Sequence, residues 1–121
     1  IPLRDLTNTS TPDSQLAARI EHYTTKPLSD GLSIDVDGNV YITDVEHSSI
    51  FLVDTQTNLH TLIRSRKIRW PDALSFGPDG WLYIADSALA DVGLHTRDHI
   101  MAQGPYKVFR FQTGNTGTPG Q

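Results

Sequence analysis

Two pairs of acidic residues recur along this chain with the same separation. Asp30 and Asp44 form the first pair, and Asp72 and Asp86 form the second, displaced by 42 residues. Carboxylate oxygens are the ligands that Ca²⁺ and similar hard cations prefer in proteins. If the fold brings the two pairs together, the sequence predicts a site for a divalent cation or a small polar ligand.

The four carboxylates mark the ends of a stretch of fifteen residues that occurs twice. Residues 30–44 and 72–86 are identical at eight of their fifteen positions. Each copy contains an Asp-Gly pair between two short apolar runs, at Asp37-Gly38 in the first and at Asp79-Gly80 in the second. A repeat of about forty residues built from short strands and Asp-Gly turns is typical of the blades of a β-propeller.

The first repeat is predicted to form one four-stranded antiparallel sheet. Its strands are expected at residues 31–36, 39–44, 49–54 and 59–64. We expect Asp37-Gly38 to form a two-residue type I′ turn, since such turns favour Asp-Gly at their two central positions. In that register Ile34 faces Tyr41, and Asp30 lies opposite Val45 at the end of the sheet away from the turn.

The start of the first strand in each repeat is the predicted location of the site. The first strand of a propeller blade lines the central channel, so Asp30 and Asp72 are expected to be neighbours at one mouth and are the candidate metal ligands. Other candidate ligand-binding residues at this mouth are Asp44, Glu46, His47 and Asp86. The alternative is that these aspartates accept backbone N–H groups in turns, which is the role that we expect for Asp37 and Asp79.

The second repeat departs from the first after its second strand. A helical insertion is predicted at residues 86–105, followed by a third strand at 106–111 and no fourth strand. Upstream, residues 1–6 are expected to form a short strand and residues 12–21 a helix. Downstream, residues 114–121 are expected to be a flexible tail.

These elements predict an all-β fold of the six-bladed β-propeller type, to which the chain contributes about two four-stranded blades. The predicted units are a lead-in at 1–29, a blade at 30–71, a second, incomplete blade at 72–113 and the tail. Two blades cannot close a ring, and open sheets leave apolar faces uncovered. We therefore expect either a fragment of a longer propeller or a homo-oligomer, in which three copies would supply six blades.

Composition excludes several classes of protein. The chain has 121 residues, of which 37% are hydrophobic and 20% charged, as is typical of a globular domain. A net charge of −4 argues against nucleic acid as a partner, since phosphate contacts need a basic face. No apolar run is long enough to cross a membrane, and without cysteine there is no disulfide or thiol chemistry.

Four segments of the chain are distinctive, namely residues 26–32, the Trp-Pro-Asp of 70–72, the Asp-Gly-Trp-Leu-Tyr of 79–83 and residues 104–111. They resemble bacterial members of the major royal jelly/yellow protein family, which are six-bladed propellers related to the senescence-marker/gluconolactonase superfamily. The resemblance covers about residues 1–113. It favours a secreted or periplasmic location, while the residues themselves leave the compartment open.

The resemblance gives the predicted cation site a more specific form. In metal-dependent gluconolactonase-like relatives, an aspartate at the Pro-Asp-Gly start of an inner strand is a metal ligand. Asp72 matches that position, with Ala73 in place of the glycine, and Asp30 matches it one blade earlier. The glutamate ligand that these relatives take from an early blade has no counterpart in this chain.

Three functions are consistent with these observations. The first is a binding module that holds a small ligand or a divalent cation, such as Ca²⁺, at one mouth of the channel. The second is a metal-dependent hydrolase of lactones or esters, in which the metal polarises a carbonyl and a carboxylate acts as base. The third is a non-catalytic assembly module, so the sequence leaves open whether the chain is an enzyme.

Overall fold

The computed structural model describes residues 1–119, which form a mostly β structure of two antiparallel sheets. The first sheet has the order β1-β2-β3-β4, with strands Leu32–Ile34, Val40–Asp44, Ser49–Val53 and Leu59–Arg64. The second has the order β5-β6-β7, with strands Pro71–Phe76, Trp81–Asp86 and Lys107–Gln112. Short helices lie at Leu3–Leu6 (α1), Asp13–Ala17 (α2), Leu89–Val92 (α3) and Arg97–Ala102 (α4).

The lead-in differs from the sequence-based prediction. The strand expected at residues 1–6 is wrong, because Leu3–Leu6 is a helical turn that follows the extended Pro2. A strand at this place would need a neighbouring edge to satisfy its backbone groups, whereas the turn satisfies some of them locally, with the Thr7 hydroxyl donating to the Leu3 carbonyl. The helix expected at 12–21 is only Asp13–Ala17; it buries no residue, so no packing stabilises a longer helix.

The first hairpin also has a different turn from the one predicted. Ile34 pairs with Val40, one residue away from the predicted partner Tyr41. Among the residues of this turn only Gly38 has a positive φ, of 87°, whereas a type I′ turn needs two such residues. The Asp35 N–H donates to the Asn39 carbonyl, and the Gly38 N–H donates to the Asp35 carbonyl. Residues 36–38 therefore form a three-residue loop, in which Gly38 is the left-handed residue.

The same turn recurs in two other hairpins. Thr57 between β3 and β4 has φ 67°, and Gly80 between β5 and β6 has φ 76°. In each, the N–H of the left-handed residue donates to a carbonyl three residues earlier, at Asp54 and at Gly77. The register of the second sheet therefore repeats that of the first, with Phe76 beside Leu82 as Ile34 is beside Val40.

The core lies between the two sheets. We call the face of the first sheet that packs on the second sheet its front face; it carries Tyr41 and Ile50, which are buried. The second sheet packs against it with the face that we call its back face. The core residues on this back face are Leu74, Phe76, Leu82, Ile84, Phe109 and Phe111, and Tyr41 meets Phe76 edge to face, with ring centroids 5.2 Å apart. Ile68, in the connection between the sheets, completes the buried cluster.

Residues 115–118 are part of this fold, so the prediction of a flexible tail is wrong for them. The Val36 N–H donates to the Thr116 carbonyl and the Thr118 N–H donates to the Ile34 carbonyl, so this segment pairs with the free edge of β1. Gly117 lies against the Phe76 ring, where a side chain would not fit. The last two residues of the predicted tail, 120 and 121, lie outside the described residues.

No helix within residues 1–119 has the length and apolar character that a membrane crossing requires.

The two sheets approach each other closely at Gly31, just before β1. A Cβ atom placed on Gly31 would lie 2.8 Å from the Asp72 carbonyl oxygen and 3.0 Å from the Leu74 nitrogen. Both of these atoms belong to the backbone of β5, so they cannot move aside as a side chain could. The starts of β1 and β5 are therefore adjacent, and a glycine is required at this contact.

Gly31→Ala should lower the free energy of unfolding by about 1–3 kcal/mol, since the added methyl group overpacks a contact between two backbones. The measurement is urea denaturation of the two proteins. Gly93→Ala is the control, because a Cβ there would lie 3.4 Å from the Leu89 carbonyl oxygen and has room. Equal losses in both variants would contradict the close approach at Gly31.

Candidate functional site

The structure places Asp30 and Asp72 at the adjacent starts of β1 and β5, the first strands of the two sheets. Both residues are exposed, and Gly31, next to Asp30, packs directly on the Asp72 backbone. The Trp70 indole N–H donates to a carboxylate oxygen of Asp30 at 2.6 Å, which links the first sheet to the residues that lead into β5. The Asp72 carboxylate has no hydrogen-bond partner within residues 1–119, so it is the free acidic group here.

Asp44 has a structural role, as the alternative interpretation of the sequence expected. It is almost fully buried and accepts the backbone N–H groups of Glu46 and His47 at 3.1 and 3.0 Å. Nδ1 of His47 lies 3.0 Å from its second oxygen. The carboxylate thus closes the turn that leads from β2 to β3.

Asp86 is the repeat equivalent of Asp44 but binds a different segment. It accepts the backbone N–H groups of Arg69 and Trp70 at 3.0 and 2.8 Å and the Nε–H of Arg69 at 3.2 Å. The Arg69 guanidinium also donates to the Gln103 carbonyl at 2.9 Å. Asp86 therefore fastens the start of β5 and, through Arg69, the helical insertion.

In the first sheet the hydroxyl of Thr43 holds the start of the first strand. Oγ1 of Thr43 accepts the backbone N–H groups of Asp30 and Gly31 at 3.1 and 3.0 Å. The repeat equivalent of Thr43 is Ala85, which has no hydrogen-bonding group. The start of β5 is therefore held differently from the start of β1, through the bonds of Asp86 to Arg69 and Trp70.

Within residues 1–119, the acidic and histidine side chains close enough to share a metal ion are Asp44, Glu46 and His47, whose ligand atoms lie within 4.8 Å of one another. This group fits a cation poorly. Asp44 already accepts three donors, and Nδ1 of His47 faces Asp44, so Glu46 and the other ring nitrogen are what remain. An adjoining cleft of about 480 Å³ is lined by two cations, Arg64 and Arg66, which oppose cation binding.

A buried acidic residue that accepts several hydrogen bonds, Asp35, was not a candidate in the sequence analysis. It is 1% exposed and accepts N–H groups from Asp37, Asn39 and Asn115 and the hydroxyl of Tyr41, at 2.8–3.0 Å. Burial alone would raise the pKa of its carboxyl, but the hydrogen bonds from Asn115, Asn39 and Tyr41 outweigh burial and lower the pKa. Burial, together with this neighbouring carboxylate, raises the pKa of Tyr41 to about 12.

Asp54, at the surface, accepts hydrogen bonds from its own turn in the same way as Asp35. It accepts N–H groups from Gln56 and Asn58, and Nε2 of His60 lies 2.8 Å from its second oxygen. The hydrogen bond with His60 is the main cause that lowers the pKa of Asp54 to about 2. The signal in the sequence is an Asp followed four residues later by Asn and six residues later by Tyr or His, which the assumption of a type I′ turn obscured.

Comparisons with known proteins add little to this geometry. No protein-family model matches the sequence, and no curated protein matches it. Among solved structures, the chain is similar to selenomethionine-substituted virginiamycin B lyase from Staphylococcus aureus, a β-propeller protein, with 14% identity and a TM-score of 0.49. The match covers 74% of this chain and 25% of that one, so the chain spans about a quarter of the lyase. The similarity is too low to bear on site or activity, and the resemblance to the royal jelly/yellow family rests on the four segments named above.

The lowered pKa values of Asp35 and Asp54 predict that acid destabilises the protein. A carboxyl whose pKa is lower in the folded state stabilises that state fully above its unfolded pKa, 3.8, and loses this contribution as the pH falls through the folded value. For Asp54 the loss occurs between 3.8 and about 2. Urea midpoints measured from about pH 6 down to about pH 2 should therefore fall.

Asn115→Ala tests the part of this effect that belongs to Asp35. Removing this donor should cost about 1–3 kcal/mol at neutral pH and should make the fall in stability with acid shallower, because the pKa of Asp35 is then lowered less. Asn8→Ala, in the polar loop of the lead-in, is the control. An unchanged acid profile in Asn115→Ala would contradict the role of Asn115 at Asp35.

Proposed function

We propose that this chain supplies two adjacent blades of a six-bladed β-propeller of the yellow and royal jelly type, and that it binds a small ligand or a divalent cation where the inner strands start. Two observations support the proposed propeller ring. Each copy of the repeat forms one antiparallel sheet, and the two sheets stack with their first strands as neighbours. The site consists of Asp30 and Asp72, with the Trp70 indole donating to Asp30.

The observation that carries this proposal is the contact of Gly31 with the backbone of Asp72 to Leu74. This contact supports a site in which the two exposed carboxylates share one end of the strands that would face the axis of a propeller. Asp72 has no hydrogen-bond partner within residues 1–119, and one oxygen of Asp30 remains after the bond from Trp70. Oxygen ligands of this kind suit Ca²⁺, which takes six to eight of them, so further ligands would come from other blades or from water.

The chemistry of the site is binding rather than a defined reaction. Serine, histidine and lysine side chains placed for nucleophilic or general base chemistry do not accompany Asp30 and Asp72 among the hydrogen bonds of the described residues. A carboxylate pair at a channel mouth attracts cations and the positively charged groups of small molecules. A lactonase or esterase activity would need a bound metal to polarise the carbonyl of the substrate.

Calorimetric titration with Ca²⁺ and, separately, with Zn²⁺ tests the proposal. Binding of one of these ions is expected, with Asp30→Asn and Asp72→Asn each weakening it at least about tenfold, or about 1.4 kcal/mol. Asparagine at residue 30 retains the acceptor for Trp70, so the loss reports on charge rather than on the fold. Asp13→Asn, on the exposed α2 helix, should bind as the parent does.

Two outcomes would redirect the proposal. Absence of heat with both ions, together with no small molecule retained by the native protein in mass spectrometry, would remove the binding function. Hydrolysis of a simple lactone in the presence of the bound ion, lost in Asp72→Asn, would assign the site to the metal-dependent hydrolases instead.

A further inference from the structure

A basic run links the two sheets, and its arginines are used in different ways. The run, residues 64–69, begins at the last residue of β4 and leads to the start of β5. Arg69 is committed to the fold, since its Nε lies 3.2 Å from a carboxylate oxygen of Asp86. Within residues 1–119, Arg64 and Arg66 form no ion pair with a carboxylate. Two guanidiniums of this run are therefore available to another anion.

These two arginines line the same cleft, of about 480 Å³, at one end of the first sheet. One wall is the basic run and the other is the turn between β2 and β3, and together they contribute Arg64, Ser65, Arg66, Glu46, His47 and Ser48. The cleft is thus formed by two connections at the end of a sheet, and not by a face of the sheet. Small-molecule sites in proteins have volumes of about 300–1,000 Å³, so the cleft has the size of such a site.

Hydrogen bonds hold the two walls of the cleft together. The Ser65 N–H donates to the Ser48 carbonyl at 3.0 Å, which joins the basic run to the turn. The Ile68 N–H donates to the Ser65 carbonyl at 3.0 Å, and the Ile68 side chain is buried in the core. The backbone on both sides of Arg66 is therefore fixed, and Arg64 is still part of the β4 ladder. Binding an anion here requires the ordering of side chains but not of a loop, which lowers its entropic cost.

The turn between β2 and β3 contributes a histidine whose ring is held in place. Nδ1 of His47 lies 3.0 Å from a carboxylate oxygen of the buried Asp44. The other ring nitrogen, Nε2, is left for a ligand, and the protonated ring donates to an anion from it. The Ser65 hydroxyl oxygen accepts the Lys67 N–H at 3.3 Å, so its own hydrogen is left for a ligand as well.

Glu46 is the acidic residue in the lining of the cleft, and it opposes the binding of an anion. It is exposed and forms no ion pair with Arg64 or Arg66, so it does not neutralise either guanidinium. Water and salt screen an exposed carboxylate. Glu46 should therefore weaken the binding of an anion without preventing it.

We infer that this cleft binds the phosphoryl group of a small molecule between Arg64, Arg66 and the ring of His47. A guanidinium binds oxyanions through two parallel N–H donors. Two guanidiniums, an imidazole and the serine hydroxyls supply more donors than the roughly four acceptor positions of a carboxylate use. A phosphate monoester has three terminal oxygens and a charge of about −1.5 to −2, which matches this set of donors better. The cleft shares no residue with Asp30 and Asp72, so the inference does not rest on the proposed cation site.

Titration with inorganic phosphate at constant ionic strength, followed by ¹H–¹⁵N NMR, tests this inference. The backbone signals that shift should be those of residues 46–48 and 64–66. Arg64→Gln and Arg66→Gln should each weaken phosphate binding at least about fivefold, because each removes a pair of charge-assisted donors. Glu46→Gln should strengthen binding about twofold or more, because it removes a like charge from the cleft.

Lys67→Gln is the matched control, because it removes one positive charge next to Arg66 from a residue outside the lining of the cleft. It should bind phosphate as the parent does. All four substituted side chains are exposed, and unchanged signals in the rest of the spectrum show that the variants remain folded.

Three results would overturn the inference. Equal losses in Lys67→Gln and Arg66→Gln would show a general effect of charge in place of a site. Shifts spread over the other lysines and arginines, with none at residues 46–48, would show the same. Acetate that binds as tightly as phosphate would remove the assignment to a phosphoryl group.

Discussion

The buried carboxylate of Asp35 is the group on which most of this structure depends. A charge removed from water is stable only when donors surround it, and Asp35 takes its donors from three different parts of the fold. These parts are its own turn, with Asp37 and Asn39, the core residue Tyr41, and Asn115 in the C-terminal segment. The shape of the first hairpin, the packing of the two sheets and the path of residues 115–118 are therefore coupled through one side chain.

The two repeats show how one sequence pattern serves different purposes in two environments. Asp44 and Asp86 end equivalent strands, yet Asp44 closes a turn and Asp86 holds the connection between the sheets. The segments before the two first strands are also held differently, since Thr43 binds the start of β1 and its equivalent Ala85 has no hydrogen-bonding group. The repeat thus preserves the backbone while single side chains decide which segment each carboxylate binds.

The hydrogen bonds of the carboxylates determine which of them are free to bind a ligand. Carboxylates that accept several backbone N–H groups are committed to the fold, and this removes Asp35, Asp44, Asp54 and Asp86 from the set of free ligands. Asp72, and in part Asp30, remain available where Gly31 packs on the backbone of β5. A site with two carboxylates is incomplete for a hard cation, so its function depends on what the neighbouring blades contribute.

The sequence by itself determined the 42-residue repeat, the four strands of the first sheet and the three of the second. These follow from local patterns, namely short apolar runs between Asp-Gly pairs, which act on neighbouring residues. Only the tertiary structure decided the one-residue register of the hairpins, the burial of Asp35 and the course of residues 115–118. The course of residues 115–118 and the full set of donors to Asp35 depend on partners far apart in the chain, as Asn115 is from Asp35, and no local pattern reveals them. The register follows from the bonds of Asp35 within its own hairpin, which the assignment of a type I′ turn overlooked.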